Sequence, residues 1–234
     1  MTVLASTGAD VLRRSNVFGG GQPSGRPLVH GFGCSQGGAM HEVEELPVRL
    51  RNETADLHLE VEAATGLPGS IRTRAEYVTL LHCLHRFHQA AESRLADSRW
   101  AEQWAEVGID LSQHRRAYLL EKDLVAVQAQ PSGVAPDFFD IDDFPGAMGC
   151  LYVVEGSSLG GRVIGPAIRS AIGDVPTSFF ESAERNHPSP WRSLKEALLR
   201  FGGSGDTGAV VEGARSTFRA FERYVATPRG DLVR

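Results

Sequence analysis

The stretch Leu151-Tyr152-Val153-Val154-Glu155-Gly156-Ser157-Ser158-Leu159-Gly160-Gly161-Arg162-Val163-Ile164-Gly165 sets four glycines into an apolar segment of helical character. Each glycine in a helix interior costs about 0.5–1 kcal/mol relative to alanine. Repeated within one helix, that cost points to a place where backbone is needed instead of side chains. Gly156 and Gly160 are four residues apart, as are Gly161 and Gly165, so each pair shares a helical face. Such a helix, free to bend at Gly160-Gly161, can lay bare backbone against something flat. Close packing of a second helix, or a simple kink, would use the same glycines.

Outward from this segment the pattern stays helical. Upstream, Val43–Thr65 steps Leu46, Leu50, Leu57 and Val61 along one side, and Gly66-Leu67-Pro68-Gly69 ends it. Ser70–Ala96 is a second helix with Tyr77, Leu80, Leu81, Leu84, Phe87 and Ala91 on its inner face. Arg99–Val107 is short, and Ser112–Gln130 follows with Ser112 as its N-cap. A loop rich in proline and aspartate, Pro131–Asp143, precedes the glycine-bearing helix Pro145–Ile172. Pro190–Phe201 and Thr207–Ala226 close the chain. No segment sustains strand alternation. The fold class is all-α, a single-domain bundle of about seven or eight helices.

Residues 1–39 differ. They hold Gly19-Gly20-Gly21, Gly37-Gly38, Pro23 and Pro27 with little periodicity. They are expected to form a disordered or loosely attached leader, with the helical domain over 40–230. The leader lacks the long apolar stretch of a secretory signal. The chain has 234 residues, 41% hydrophobic and 23% charged, with a net charge of −5, enough for one sizeable core. No basic tract suggests nucleic acid, and no apolar run suggests a membrane span. Cys34, Cys83 and Cys150 are odd in number and lack CxxC spacing, which reads as reduced thiols in a cytoplasmic protein.

Two groups of histidines could carry chemistry. His82, His85 and His88 lie at three-residue steps on one helix. Their drift around the axis opposes a shared metal, and partly exposed polar positions are expected instead. His58 stands between Thr54, one turn before, and Glu62, one turn after, all on one face. Glu62 is placed to orient the imidazole. Arg51, two turns before His58, could hold an anionic group of a ligand bound there. A plain surface histidine fits the same spacing.

Taken together, Leu50-Arg51-x-x-Thr54-x-x-x-His58-x-x-x-Glu62 and Gly156-x-x-x-Gly160-Gly161 resemble the haem oxygenase family, which carries an axial histidine on its first helix and a glycine-bearing distal helix over the haem. The order and long separation agree. His114-Arg115-Arg116-Ala117 with Asp123-Leu124 is similar to the family's mid-chain helix. Trp191-Arg192-Ser193-Leu194 and Ala214-Arg215-Ser216-Thr217-Phe218-Arg219-Ala220-Phe221 are similar to its last two helices. The resemblance covers about residues 43–226, and Leu151–Gly161 looks most like the bacterial branch associated with phytochromes.

The resemblance implies oxidative opening of haem to biliverdin, iron and carbon monoxide. Haem would be both substrate and cofactor, with dioxygen and electrons from a ferredoxin or reductase. It implies His58 as the iron ligand, and Gly156, Gly160 and Gly161 as the backbone that crowds the distal side. Arg51 and Arg192 would face the propionates, with Thr54 and Glu62 beside the histidine and Phe87 and Phe218 as pocket walls. It also implies a bacteriophytochrome as the biliverdin acceptor. One departure stands out: where many members carry a water-ordering aspartate after the first distal glycine, this chain has Ser157. A haem carrier or sensor that leaves its ligand intact is therefore the rival reading. A helical thiamine-degrading enzyme would need a catalytic cysteine among carboxylates, which Cys83 and Cys150 do not offer.

Overall fold

The structure, a computed structural model, describes residues 44–182, 190–203 and 205–226. The expected leader 1–39, the domain limits at 40 and 230, and Cys34 lie outside them. Among the described residues there are ten α-helices, two 3₁₀ turns and no strand. They are α1 (Leu46–Glu53), α2 (Ala55–Thr65), α3 (Arg74–Leu95), α4 (Ala101–Glu106) and α5 (Ala117–Ala126), then α6 (Phe144–Leu159), α7 (Gly161–Ile172), α8 (Ser178–Glu181), α9 (Pro190–Gly202) and α10 (Thr207–Ala226). No helix among the described residues is long and apolar enough to cross a membrane.

The count exceeds seven or eight because two expected helices are each broken and α8 was not anticipated. The first break is at Thr54, whose φ of −115° and ψ of 5° leave the helical region. Its hydroxyl donates to the Leu50 carbonyl at 2.8 Å, the back-bonding that bends helices. The second break is at Gly160. Before it, the hydroxyls of Ser157 and Ser158 donate to the carbonyls of Val154 and Glu155, each at 2.7 Å. After it, Pro166 sits inside α7 without an N–H to give. Other boundaries also move. Asp110, not Ser112, caps the mid-chain segment, accepting from the Ser112 N–H at 2.9 Å. That segment forms only the turn Leu111–His114 before α5 begins. Thr73 and Glu76 form a reciprocal capping box that starts α3 at Arg74 rather than Ser70.

The core is built on α3, α6 and α10. The inner-face residues of α3 expected from periodicity are all buried. His82, His85 and His88 are buried as well, at 3%, 3% and 0% exposure, which corrects the expectation of partly exposed positions. α3 is covered on several sides, so its polar positions have no solvent face in that stretch. The tightest contact is between α6 and α10. A Cβ on Gly149 would lie 2.1 Å from the Val210 carbonyl oxygen, and one on Gly213 would lie 2.4 Å from Gly146 Cα. Backbone meets backbone there, and α10 also packs on α2. Thus α10 is the common support of the helix carrying His58 and the helix carrying Gly156.

Candidate functional site

Leu57 buries one side of α2, and His58 follows it with its side chain 40% exposed. His58 Nδ1 lies 3.4 Å from Glu62 Oε1, one turn on. A carboxylate on that side favours the tautomer with hydrogen on Nδ1 and leaves the Nε2 lone pair for a metal. Phe218 of α10 stands edge-on to the imidazole, with centroids 6.1 Å apart and planes at 74°. His58, Glu62 and Phe218 are therefore brought together. Thr54 is not part of that group: it is buried and its hydroxyl is committed to Leu50, so it shapes the bend between α1 and α2. Phe87 is not a pocket wall either. It is 1% exposed and packs against Phe139, Phe221 and Tyr224 in the core.

Arg51 is exposed on α1, and its charge reaches the Tyr152 hydroxyl on α6. Burial pushes the Tyr152 hydroxyl up to about 12, with Arg51 opposing. The Tyr152 ring lies against Trp191 of α9, centroids 5.4 Å apart. Next to Trp191, Arg192 is exposed and pairs with Glu196 at 3.4 Å. The middle of α6, at Tyr152, thus has a cation from α1 and the start of α9 beside it.

Tyr152, Gly156 and Gly160 follow one another at helical steps of four along that same face. A Cβ on Gly156 would meet nothing within 4 Å. One on Gly160 would meet only Ile164 Cδ1 at 3.4 Å and the Ser157 carbonyl at 3.7 Å, both of its own stretch. The other pair does something different. A Cβ on Gly161 would lie 2.4 Å from the Phe180 carbonyl oxygen, and one on Gly165 3.1 Å from Phe180 Cβ. So one glycine pair leaves an open face, and the other is filled by α8. Gly161 belongs to helix packing, which corrects its expected place beside Gly156 and Gly160. Ser157 is exposed next to the open face, with its hydroxyl donated to its own helix.

Sequence reading missed what stands behind this face. Glu155 is fully buried. Its Oε1 is 2.9 Å from His114 Nδ1, and Arg116 Nη2 reaches Oε1 at 3.2 Å and Oε2 at 3.0 Å. Arg116 and His114 are themselves buried. A signal was present: Glu155 is the one charged residue between Phe144 and Gly161, and a charge in so apolar a helix must be paired. The partners were not legible from spacing.

Among the described residues no group of three or more histidines, cysteines or carboxylates could hold a metal ion. His58 is half exposed with the Glu62 carboxylate beside it, an arrangement that leaves one ring nitrogen available to a ligand. Gly156 and Gly160 present open backbone on a face that side chains would otherwise occupy. Cys83 and Cys150 are buried free thiols, pushed up to about 11 and about 12 by burial, and make poor nucleophiles.

No family model matches the chain. In structure it is similar to the NO- and CO-bound heme oxygenase from Neisseria meningitidis, with a TM-score of 0.60 and 18% identity, over 80% of this chain and 95% of that one. That likeness establishes the fold. In sequence it is 30% identical over 154 residues to a heme oxygenase of Xanthomonas campestris pv. campestris (strain 8004), covering 64% of this chain and 88% of the relative. With that relative covered almost end to end, and His58 and the open glycine face in the expected order, the chain belongs to the haem oxygenase family of enzymes.

Proposed function

We propose that this enzyme opens haem oxidatively to biliverdin, iron and carbon monoxide, using dioxygen and electrons from a ferredoxin or reductase. The observation that carries the reading is the open backbone at Gly156 and Gly160, on an α10-supported scaffold shared with His58. Bound haem supplies the iron that activates dioxygen and is itself the molecule oxidised. The chain's own part is to hold and shape. His58 would hold the iron through Nε2, with Glu62 orienting the ring and Phe218 limiting its rotation. Gly156 and Gly160 let α6 approach one face of the macrocycle closely enough to exclude larger groups. Arg51 supplies a cation for a propionate, a charge-assisted contact, and Arg192 a second from α9. Ser157 holds water on the distal side through the lone pairs its hydroxyl keeps free. As a biliverdin source, the enzyme would serve a bacteriophytochrome, and its buried free thiols suit the cytoplasm.

Purified protein mixed with haemin and reduced with ascorbate under air tests this directly. Loss of the Soret band with growth of biliverdin absorption is the expected result. A stable Soret band would instead support a haem carrier, the reading favoured by a neutral Ser157 whose hydrogen is already donated to Val154. Absence of any Soret shift would refute both.

A further inference from the structure

The two halves of the broken distal helix are held by separate sets of contacts, and both sets lead to one side chain. On the α6 side, Arg116 Nη2 grips both oxygens of Glu155, the residue before Gly156. On the far side, Arg116 Nη1 donates to Ser182 Oγ at 3.3 Å, immediately after α8. The α8 helix is the element that fills the notch of Gly161 and Gly165 on α7, through Phe180. Arg169 of α7 also pairs with Glu181 of α8 at 2.5 Å, so α7 and α8 are tied by charge as well as by packing. The start of α8 is fixed to α5, where Asp123 accepts from the Ser178 and Phe179 N–H groups at 3.0 Å each. Arg116 is seated too. Its own N–H and that of Ala117 donate to Glu92 of α3 at 2.6 Å and 2.7 Å.

We infer that Arg116 is a positioning residue for haem oxidation: by holding Glu155 and Ser182 at once it spans the break at Gly160, sets the angle between α6 and α7, and so fixes the height of Gly156 and Gly160 over the substrate. The inference rests on the functional reading above for its consequence, but the geometry stands in the haem-free protein. Charge alone would not do this. The guanidinium offers donors in a fixed planar fork, two nitrogens to two elements, whereas a lysine ammonium is a single point that cannot span both. Burial matters equally, because at 3% exposure the Arg116 side chain is shielded from solvent and depends on its protein partners. The placement of reacting groups is steep in distance: a shift of about 1 Å can cost about a hundredfold in rate.

The test is Arg116→Lys in the full chain, with Ser182→Ala as the variant that removes only the α8 arm. In the haem-free protein, amide exchange over residues 156–165 should quicken by about tenfold, as the break is freed to open locally. With haem, KM should stay within about twofold while kcat falls by about tenfold or more. The pH midpoint of the ferric complex's visible spectrum should shift. Ser182→Ala should move the same readouts in the same direction by a smaller factor. If Arg116→Lys folds with wild-type exchange and wild-type kcat, the residue is an ordinary buried cation and the inference falls. If Arg116→Lys does not fold, Ser182→Ala decides, and unchanged exchange and midpoint would overturn it. A wild-type protein that binds haem without oxidising it would defeat the functional reading instead, and the exchange experiment would still judge Arg116.

Discussion

A methyl group at Gly160 would touch Ile164 Cδ1 at 3.4 Å, whereas the same methyl at Gly161 would sit 2.4 Å from the Phe180 carbonyl oxygen. The two neighbours should therefore respond oppositely to alanine. Gly160 stands at the break with φ −63° and ψ −20°, torsions alanine adopts without strain. Gly160→Ala should therefore stabilise by about 0.4–1 kcal/mol through the unfolded chain, and the haem-free melting temperature should hold or rise while turnover falls. Gly161→Ala drives a side chain into the backbone of α8 and should cost about 1–3 kcal/mol in denaturant unfolding. The larger Gly160→Leu should abolish turnover. Were it to turn over normally, this glycine would serve only to bend the helix. At the proximal side, His58→Ala should keep the helical circular dichroism, since the side chain is half exposed, and lose the wild-type Soret spectrum and haem degradation. A variant with both unchanged would remove His58 from the site.

Between elements, the same residue type does a third job that no periodicity announces. Gly149 and Gly213 let α6 and α10 touch backbone to backbone, Gly213 seated on the backbone of Gly146. Gly149→Ala would place its Cβ 2.1 Å from the Val210 carbonyl oxygen, and no flexible side chain is there to yield. Chemical denaturation should show a loss of about 3 kcal/mol or more, larger than any single glycine change in α7. Helix existence was legible because apolar spacing on α3, α9 and α10 records a buried face directly. Breaks were not. Thr54 and Gly160 sit in stretches whose apolar rhythm continues through them, and the bend is written in hydroxyl-to-carbonyl bonds rather than in hydrophobicity. The division of the four glycines into an open pair and a filled pair was likewise invisible, because Phe180 comes from a four-residue helix that leaves almost no pattern.

At the scale of the whole molecule, the core carries a burden that the site does not need. His88 is fully buried between the rings of Phe87 and Phe179, with centroids at 5.3 Å and 4.9 Å, and neither ring nitrogen has a hydrogen-bond partner. Burial first, then the nearby charges of Arg116 and His85, pull its pKa down to about 3. His85, on the same helix, is lowered too, again mainly by burial. Sequence spacing could not show this, since three histidines at three-residue steps look the same on a wet face as on a dry one. The sign follows from linkage. In the unfolded chain His88 takes up a proton near its ordinary value of 6.5, while the folded protein refuses it until about 3. Between those values the unfolded state binds more protons, so stability falls as pH falls, by about 1.4 kcal/mol per pH unit for one histidine. From pH 7 to pH 5 the wild type should lose about 2 kcal/mol through His88 alone, since only the part below 6.5 counts. His88→Leu removes the proton uptake and should flatten that part of the profile, leaving the smaller contribution of His85. Urea unfolding at pH 7 and pH 5 for both proteins measures the difference. Parallel losses in the two proteins would mean that His88 is protonated within the fold, with water reaching a core that the packing of α3 otherwise keeps dry.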